Sequence, residues 1–424
     1  MDNQRSSRCH APFGRGCGVQ GCRTGVGDGL PVGPPRRRAT RSAEETPVPQ
    51  PGHEPAVHYT EVADQEVRSL RTRYCRLRTG AGAPVAELEV VSLRVRFGAV
   101  TVDAEGIGGV ETEPGFRRRG HMGRLLRQAL TGMAQRVDVA FVSDGIEGVY
   151  EKFGFVSAVP EGTLVVPVRN VERATGVDAG AAVPGVHGRS VADLPAMVRL
   201  YNAAHAQRPF TQERRVGWNR LVAGATWQPG SQVLVLPAHG ALAGYAVLEG
   251  RAYGDPVRSV VADELVAEDA AAAALLLSAL AGLCWQSRLS EFSVREPADS
   301  LVGRVARRMG CSEQRGFRPS GGMMAAVLNR SALVRELEPE LRRRAGREQP
   351  DPDCDTALAA LRRGDLVPDD AVLVRLLLGH WSSDDADAAG AAVPERYRDL
   401  CSAWFPGGGT PSLSTPYAHR LDRF

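Results

Sequence analysis

The stretch Val110–Leu126, VETEPGFRRRGHMGRLL, contains the residue types that bind phosphate. Arginine side chains pair with phosphate oxygens, and Gly120 has no side chain to block an approaching ligand. Helical spacing begins after Gly120, and the unpaired N–H groups at a helix start attract anions. The stretch therefore predicts a diphosphate site. On these residues alone, a solvated basic turn before an ordinary amphipathic helix is an equally good interpretation.

A second candidate for chemistry is Tyr150, in the segment GIEGVYEKFGF. A tyrosine hydroxyl can donate a proton in general acid catalysis. Taken alone, however, a tyrosine on a helix face is more typical of a packed core. His121 is an alternative base, but its place in the predicted phosphate loop favours a position beside a bound cofactor.

Hydrophobic periodicity predicts the elements that position these residues. ELEVVSLRVRF and AVTVDAE alternate as strands, GIGGVETEP is a further strand broken at Pro114, and GHMGRLLRQALTGM has helical spacing. DVAFVS then reads as a buried strand, GIEGVYEKF as a short helix and GTLVVPV as a final strand. Together they predict one compact α/β unit over residues 57–168.

The rest of the chain divides by composition and pattern. Residues 1–56 are rich in Gly, Pro and Arg without hydrophobic periodicity, which predicts a disordered tail. Residues 169–320 repeat the α/β outline without a glycine–arginine loop. They include an apolar helix over 270–285, with Asp269 as N-cap, that is too short to span a bilayer. Residues 321–424 are predicted to be mostly helical.

The phosphate loop and the tyrosine segment together resemble the GCN5-related N-acetyltransferases (GNAT). The pyrophosphate loop of that family runs Arg/Gln-x-x-Gly-x-Gly/Ala, and Arg117–Met122 fits except that Met122 replaces the last small residue. Tyr150 and Phe153–Phe155 match the family's later aromatic motif. With a second acetyltransferase-like unit, a helical third region and a terminal aromatic residue, residues 75–424 resemble the enhanced intracellular survival (Eis) family.

This resemblance implies an α/β fold class of tandem GNAT-like domains, each a mixed and mostly antiparallel sheet with helices. A reduced sterol-carrier-like domain over residues 321–424 would follow. The resemblance also implies acetyl-CoA as co-substrate, no metal, and a homo-oligomer with a hexamer as the first expectation. Two departures are visible: only residues 57–74 precede YCRLRTG, where the family has acceptor-binding helices, and the third region lacks most strands of a sterol-carrier-like sheet.

The resemblance also assigns site residues, position by position. Tyr150 falls on the family's general acid, and Phe424 on the terminal residue whose main-chain carboxylate is the general base. The cofactor-binding residues lie along the pantetheine arm, around the pyrophosphate and beside the rest of CoA: Val110, Glu111 and Thr112; Arg118, Arg119, Gly120, His121, Met122 and Gly123; and Gly145 and Ile146.

Charge and cysteine usage narrow the function class. Residues 57–424 carry 44 basic and 44 acidic side chains, so the predicted body lacks the basic footprint of a nucleic-acid binder. No apolar segment predicts a secretory signal or a membrane span, and cysteines are sparse outside the first tail, which favours a cytoplasmic location. Cys9, His10, Cys17 and Cys22 fit no regular zinc spacing, so we expect no metal site.

The sequence therefore predicts an acetyl-CoA-dependent N-acetyltransferase that acts on a primary amine. Aminoglycosides, polyamines, peptide lysines and biosynthetic amines are all compatible acceptors. The alternative is a catalytically decayed acetyltransferase fold that serves as a ligand-binding or scaffold module.

Overall fold

The computed structural model of the protein describes residues 56–67, 70–215, 232–238, 241–250, 257–316, 320–390 and 393–406. Its strands form two seven-stranded sheets. In spatial order, the first sheet contains β1 (Val57–Val67), β2 (Leu70–Thr79), β3 (Pro84–Phe97), β4 (Val100–Thr112), β5 (Val139–Gly145), β14 (Gly322–Val327) and β6 (Val156–Ser157). The second contains β13 (Ser312–Gly316), β7 (Glu161–Pro167), β12 (Glu291–Val294), β11 (Val261–Ala267), β10 (Ala241–Leu248), β9 (Val233–Ala238) and β8 (His187–Gly188).

The described helices fall into an amino-terminal group that accompanies the sheets and a carboxy-terminal group. The first group is α1 (His121–Met133), α2 (Val168–Thr175), α3 (Leu194–Ala204), α4 (Ala270–Gln286) and α5 (Leu301–Met309). The second is α6 (Arg330–Arg344), α7 (Pro352–Arg363), α8 (Asp370–Leu377), α9 (Ser383–Ala388) and α10 (Arg398–Trp404).

The two sheets have the same pattern of strand directions. In each, four antiparallel strands precede one parallel pair, β4 with β5 and β11 with β12, and a helix crosses over between the parallel strands. Such a crossover is what a parallel pair requires. The predicted α/β class with two units in tandem is confirmed.

One predicted strand lies in the other sheet. β7, the strand expected to close the first unit, pairs with β12 and β13 in the second sheet. Its place in the first sheet, between β5 and β6, is taken by β14, which follows the second unit in the chain. Period-two alternation identifies a strand but not its partners, so the exchange was not predicted. The domain limits at 168 and 320 stay predictions, because the sheets share strands across them.

Each sheet has helices on both faces. In α1, four residues at helical spacing are buried against one face of the first sheet: Leu125, Leu126, Ala129 and Met133. The opposite face packs against α6, α7, α8 and α10 in one continuous core. The second sheet buries α2, α4 and α5 on one face and α3 on the other.

The carboxy-terminal region is helical in its described residues 328–390 and 393–406, and its one strand before them, β14, belongs to the first sheet. A sterol-carrier-like domain stays a prediction. No described helix is long and apolar enough to cross a membrane. The predicted tail 1–56, apart from Ala56, lies outside the described residues.

Candidate active site

The parallel strands β4 and β5 separate before they end. Their pairing covers Glu105 with Ala140, Gly106 with Phe141 and Ile107 with Val142, whereas β4 continues to Thr112. Beyond Ile107, alternate backbone groups of β4 therefore face the opening between the strands rather than β5. Val110, Glu111 and Thr112, the predicted pantetheine residues, all lie on this stretch.

A β-bulge explains why β4 turns away. Between the pairs Glu87–Glu111 and Glu89–Gly108, β4 contains one more residue than β3. Gly109 has a φ of +55°, and a Cβ there would lie 3.3 Å from Cγ of Glu89. An extra residue bends a strand and increases its twist. The glycines in GIGGVET are the local signal for this bend.

The start of α1 has features that suit an anion. Gly120 is the N-cap with a φ of +78°, and it contributes no capping side chain. A Cβ at Gly120 would have no neighbour within 4 Å, so the loop is open at this point. Arg118 also has a positive φ, +61°, which is uncommon for a residue with a side chain. The first helical hydrogen bond runs from Arg124 N–H to Gly120 O, so the amides before it lie at the unpaired helix end.

One arginine of the loop bonds to the end of β4, and two are exposed beside the helix start. Arg117 donates from Nε to the carbonyl oxygen of Thr112 at 2.9 Å, which ties the loop to the end of β4. Arg119 lies over the ring of Phe116, with its Cζ 5.8 Å from the ring centroid. Arg118 and Arg119 are both exposed beside the helix start. Two exposed guanidinium groups at a helix N-terminus suit a diphosphate.

The remaining loop residues are accounted for by packing. The buried ring of His121 packs edge-on against Phe116, with centroids 6.0 Å apart. Met122 is half-buried and packs against the core between α1 and the sheet. This explains how a methionine is accommodated where the GNAT loop has a small residue. A Cβ at Gly123 would contact Phe153 at 3.6 Å, so this part of α1 faces the tyrosine turn.

Tyr150 begins a single 3-10 turn, Tyr150–Phe153, rather than the predicted helix over GIEGVYEKF. Gly148, at a φ of +74°, interrupts helical geometry just before it. The ring of Tyr150 is buried and packs edge-on against Phe155, with centroids 6.1 Å apart. Burial raises the pKa of the Tyr150 phenol above its usual value, so the group stays protonated at neutral pH.

Gly145 and Ile146 lie at the end of β5, on the same side of the molecule as the tyrosine turn. Ile146 is 64% exposed, which is unusual for a large apolar side chain beside a folded strand. The predicted base, Phe424, lies outside the described residues, as do Cys9, His10, Cys17 and Cys22. Among the described residues, no group of three or more His, Cys, Asp and Glu side chains is arranged to hold a metal ion.

The corresponding opening in the second sheet contains side chains of the protein itself. β11 and β12 pair only through Val261 with Ser293 and Ala262 with Val294. Beyond this pairing, Oε1 of the fully buried Glu296 lies 3.5 Å from the N–H of Leu265 on β11. Burial, with the charge of Glu264 as a second cause, raises the pKa of Glu296 to about 8.

Buried charge continues around Glu296. Arg214 makes two hydrogen bonds to Glu264, at 2.8 and 2.6 Å, and neither side chain is exposed. The Tyr245 hydroxyl donates to the same carboxylate at 2.6 Å. At the start of α4, where α1 has glycine, the Asp269 side chain accepts from Ala272 N–H at 2.8 Å, as predicted. A carboxylate at this place opposes a second anion.

Comparison with known proteins identifies the first unit. Residues 58–158 match the model of the acetyltransferase (GNAT) domain family. This segment is a GNAT acetyltransferase domain. GNAT enzymes use acetyl-CoA as their acetyl donor, and the matched segment contains β4, the loop before α1 and Tyr150. The family resemblance in the sequence is confirmed at this level.

One solved structure extends the likeness to most of the chain. The crystal structure of Eis1 from Mycobacterium abscessus aligns with a TM-score of 0.53 at 17% identity, over 82% of this chain and 89% of that one. At this identity, the likeness shows that the two proteins share a fold over the aligned residues.

Two further structures align over shorter spans. A probable N-acyltransferase of unknown function from Enterococcus faecalis V583 has a TM-score of 0.47 at 15% identity, over 62% of this chain. A GCN5-related N-acetyltransferase from Kribbella flavida has 0.45 at 17%, also over 62%. The chain spans 64% and 62% of those two proteins. No curated protein matches the chain.

Sequence reasoning missed the strand that borders the tyrosine turn. Ser320 and Gly321, directly before β14, lie against the segment from Gly145 to Glu151. The pattern SGGMMAAV predicts the start of a helical region when it is taken locally. Only the glycine pair, which permits a close approach of two backbones, hints at the pairing.

Proposed function

We propose that this protein is an acetyl-CoA-dependent N-acetyltransferase of the Eis-like type that acetylates a primary amine. The observation that carries the proposal is the combination, in the GNAT domain, of a β4–β5 opening with a helix start capped by Gly120. Positive backbone dipoles and exposed arginines at that start suit the pyrophosphate of CoA. The cleft next to it suits the extended pantetheine arm.

In the proposed mechanism, different residues of the domain bind CoA, polarise the thioester carbonyl and donate a proton. Backbone N–H groups from Arg118 to Gly123 hold the pyrophosphate, and β4 from Val110 to Thr112 holds the pantetheine arm and polarises the thioester carbonyl. Gly145 and Ile146 border the rest of CoA. Tyr150 protonates the departing sulfur, a role that its protonated, buried phenol suits.

The proposed base is the main-chain carboxylate of Phe424, which removes a proton from the substrate ammonium so that the neutral amine can attack the thioester carbonyl. A free carboxylate has an unperturbed pKa of about 3.5, and a buried position in the active site would raise that pKa. Adding one glycine after Phe424 turns this group into a neutral amide. We expect kcat to fall about 10²-fold, the scale of a lost general base, with unchanged acetyl-CoA affinity. Undiminished turnover after the addition contradicts the assignment.

The test of the activity is thiol release from acetyl-CoA with a panel of aminoglycosides, polyamines, lysine peptides and small biosynthetic amines. We expect turnover with at least one class, and none in the Gly120→Glu variant, whose new carboxylate occupies the phosphate position. Circular dichroism of the variant serves as the folding control. Equal turnover in the variant and the wild type contradicts the loop assignment.

One observation favours the second candidate, a decayed acetyltransferase fold that binds a ligand without turnover. β1 ends at Val67 and β2 begins at Leu70, so no acceptor-binding helices separate them, in contrast to the Eis-like pattern. Acetyl-CoA binding by calorimetry, combined with the absence of thiol release across the whole panel, supports this candidate over the enzyme.

The finer features implied by the Eis-like resemblance belong to the same proposal. They are a homo-oligomer, with a hexamer expected, a sterol-carrier-like region within residues 321–424 and a cytoplasmic location. The five described cysteines are free thiols, which agrees with a reducing compartment. Light scattering measures the oligomer: a monomer at micromolar concentration contradicts that part of the proposal.

A further inference from the structure

The start of β14 contacts the turn that carries Tyr150. The Ser320 hydroxyl accepts a hydrogen bond from the N–H of Gly148 at 3.3 Å and donates one to the carboxylate of Glu151. Gly148 precedes Tyr150 by two residues and Glu151 follows it directly. A single side chain from a distant part of the chain therefore contacts the turn on both sides of Tyr150.

Backbone hydrogen bonds close the turn after Tyr150, from Gly154 N–H to Glu151 O at 3.0 Å and from Phe155 N–H to Tyr150 O at 3.3 Å, whereas its start is held less closely. Its N-cap residue, Val149, provides no side-chain cap, and the local bond from Val149 N–H to Ile146 O is 3.2 Å long. Oε2 of Glu151 is buried with no hydrogen-bond partner among the described residues. The Ser320 hydroxyl is therefore the hydrogen-bond donor that the described residues supply to this carboxylate.

The backbone of β14 fits closely against the end of β5. A Cβ at Gly145 would lie 2.5 Å from Sδ of Met324, and a Cβ at Gly321 would lie 2.9 Å from the carbonyl oxygen of Gly145. On its other side, β14 is held by the Ser157 hydroxyl, which donates to Gly321 O at 2.8 Å. Ser320 is thus attached to a strand that is fixed between two neighbours and has little freedom to move.

The neighbouring side chains of Tyr150 and Glu151 make different contacts. Tyr150 packs into the core that α1 shares with the first sheet, whereas the carboxylate of Glu151 bonds to Ser320. The two hydrogen bonds of Ser320 go to the neighbours of Tyr150 and not to its phenol. Such contacts can fix the position of the phenol through the backbone of the turn.

We propose that Ser320 is a positioning residue for Tyr150, so that the strand following the second unit sets the geometry of the first unit's general acid. This inference rests on the proposed acetyltransferase function. A displacement of about 1 Å in a reacting group lowers turnover by up to about 10²-fold. Loss of two hydrogen bonds from this turn is expected to act on kcat rather than on acetyl-CoA binding.

The kinetic test compares Ser320→Ala with Ser157→Ala. Both variants remove one serine hydroxyl from the contacts of the same strand, but Ser157 does not contact the tyrosine turn. We expect Ser320→Ala to lower kcat about tenfold, within the range of positioning effects, with little change in the Kd of acetyl-CoA. Ser157→Ala should keep the wild-type kcat, and Ser320→Thr, which retains a hydroxyl, should recover most of the loss. Equal kcat values in the two alanine variants overturn the proposal.

A second measurement does not depend on turnover. Hydrogen exchange of the intact protein should be faster over residues 145–155 in Ser320→Ala and unchanged there in Ser157→Ala. If the wild type turns over no amine, the proposed function fails, while the exchange result still decides whether Ser320 holds the turn. Unchanged exchange in Ser320→Ala overturns the positioning role whatever the activity.

Discussion

The openings at the ends of β4–β5 and β11–β12 occupy the same place in two sheets of the same topology, but they differ in what borders them. The first is bordered by a bulge at Gly109, a helix capped by Gly120 and the exposed Ile146. In the second, Glu296 reaches the backbone of β11, and Asp269 caps the helix. The two openings share a topology, and they differ in the residues at their rims; in our proposal these residues decide whether an anionic ligand fits.

The second unit also contacts the first sheet. Its segment after α3 pairs with β3 of the first sheet, through Val95 and Gln212, and Arg214 on that segment is anchored by Glu264. The same unit leads into β14, which completes the first sheet. A buried ion pair adds little net stability, but its disruption leaves a buried charge without a partner. The ion pair with Glu264 therefore holds the Arg214 segment, which pairs with β3 through Gln212.

The largest expected contrast is between the two tyrosines. Tyr150→Phe should lower kcat about 10²-fold or more, as expected for a lost general acid, with little change in melting temperature. Tyr245→Phe should leave kcat unchanged and lower stability by about 1–3 kcal/mol, because Glu264 loses a buried hydrogen-bond donor. Turnover assays and thermal melts of both variants measure this. Equal effects of the two substitutions on kcat contradict the division between a catalytic and a supporting unit.

Glu296→Gln is expected to have an intermediate effect on the stability of the protein, and this effect depends on pH. The pKa of Glu296 in the folded protein, about 8, lies above its ordinary value of 4.5. Between pH 4.5 and 8, the Glu296 carboxyl is ionised in the unfolded chain but protonated in the folded protein. The stability that this carboxyl contributes below pH 4.5 is therefore lost as the pH rises to 8. The neutral glutamine has no such loss. The free energy of unfolding of the variant, relative to wild type, should therefore rise across this pH range by an amount on the order of a few kcal/mol. Its melting temperature relative to wild type should rise with it.

A matched control for this effect is Glu291→Gln, at an exposed position of β12. Its melting temperature relative to wild type should change little over the same pH range. If the difference between Glu296→Gln and the wild type is independent of pH, Glu296 is not the buried acid described here.

The smallest effect is expected at the second helix start. Asp269→Ala removes the N-cap of α4 and should reduce stability by about 1 kcal/mol, while the Kd of acetyl-CoA stays the same. Thermal melts and calorimetry on one preparation measure both quantities. A weaker acetyl-CoA affinity in this variant would place a ligand at the second opening and remove the contrast between the units.

Local features of both units could be predicted from the sequence, whereas long-range pairing could not. The helix starts at Gly120 and Asp269 follow from residue type and spacing within one turn. The exchange of β7 and β14 depends on which edge each strand meets, and alternation contains no such information. Likewise, Arg214 and Glu296 are residue types that are usually exposed. Their burial is explained only by partners that the fold brings together.

The most direct test of the contrast between the two openings is calorimetric titration of acetyl-CoA into the intact protein. The predicted result is one site per chain, retained in Asp269→Ala and Glu296→Gln and abolished in a folded Gly120→Glu variant. Two sites per chain, or undiminished binding in Gly120→Glu, would contradict the assignment of the cofactor to the first opening.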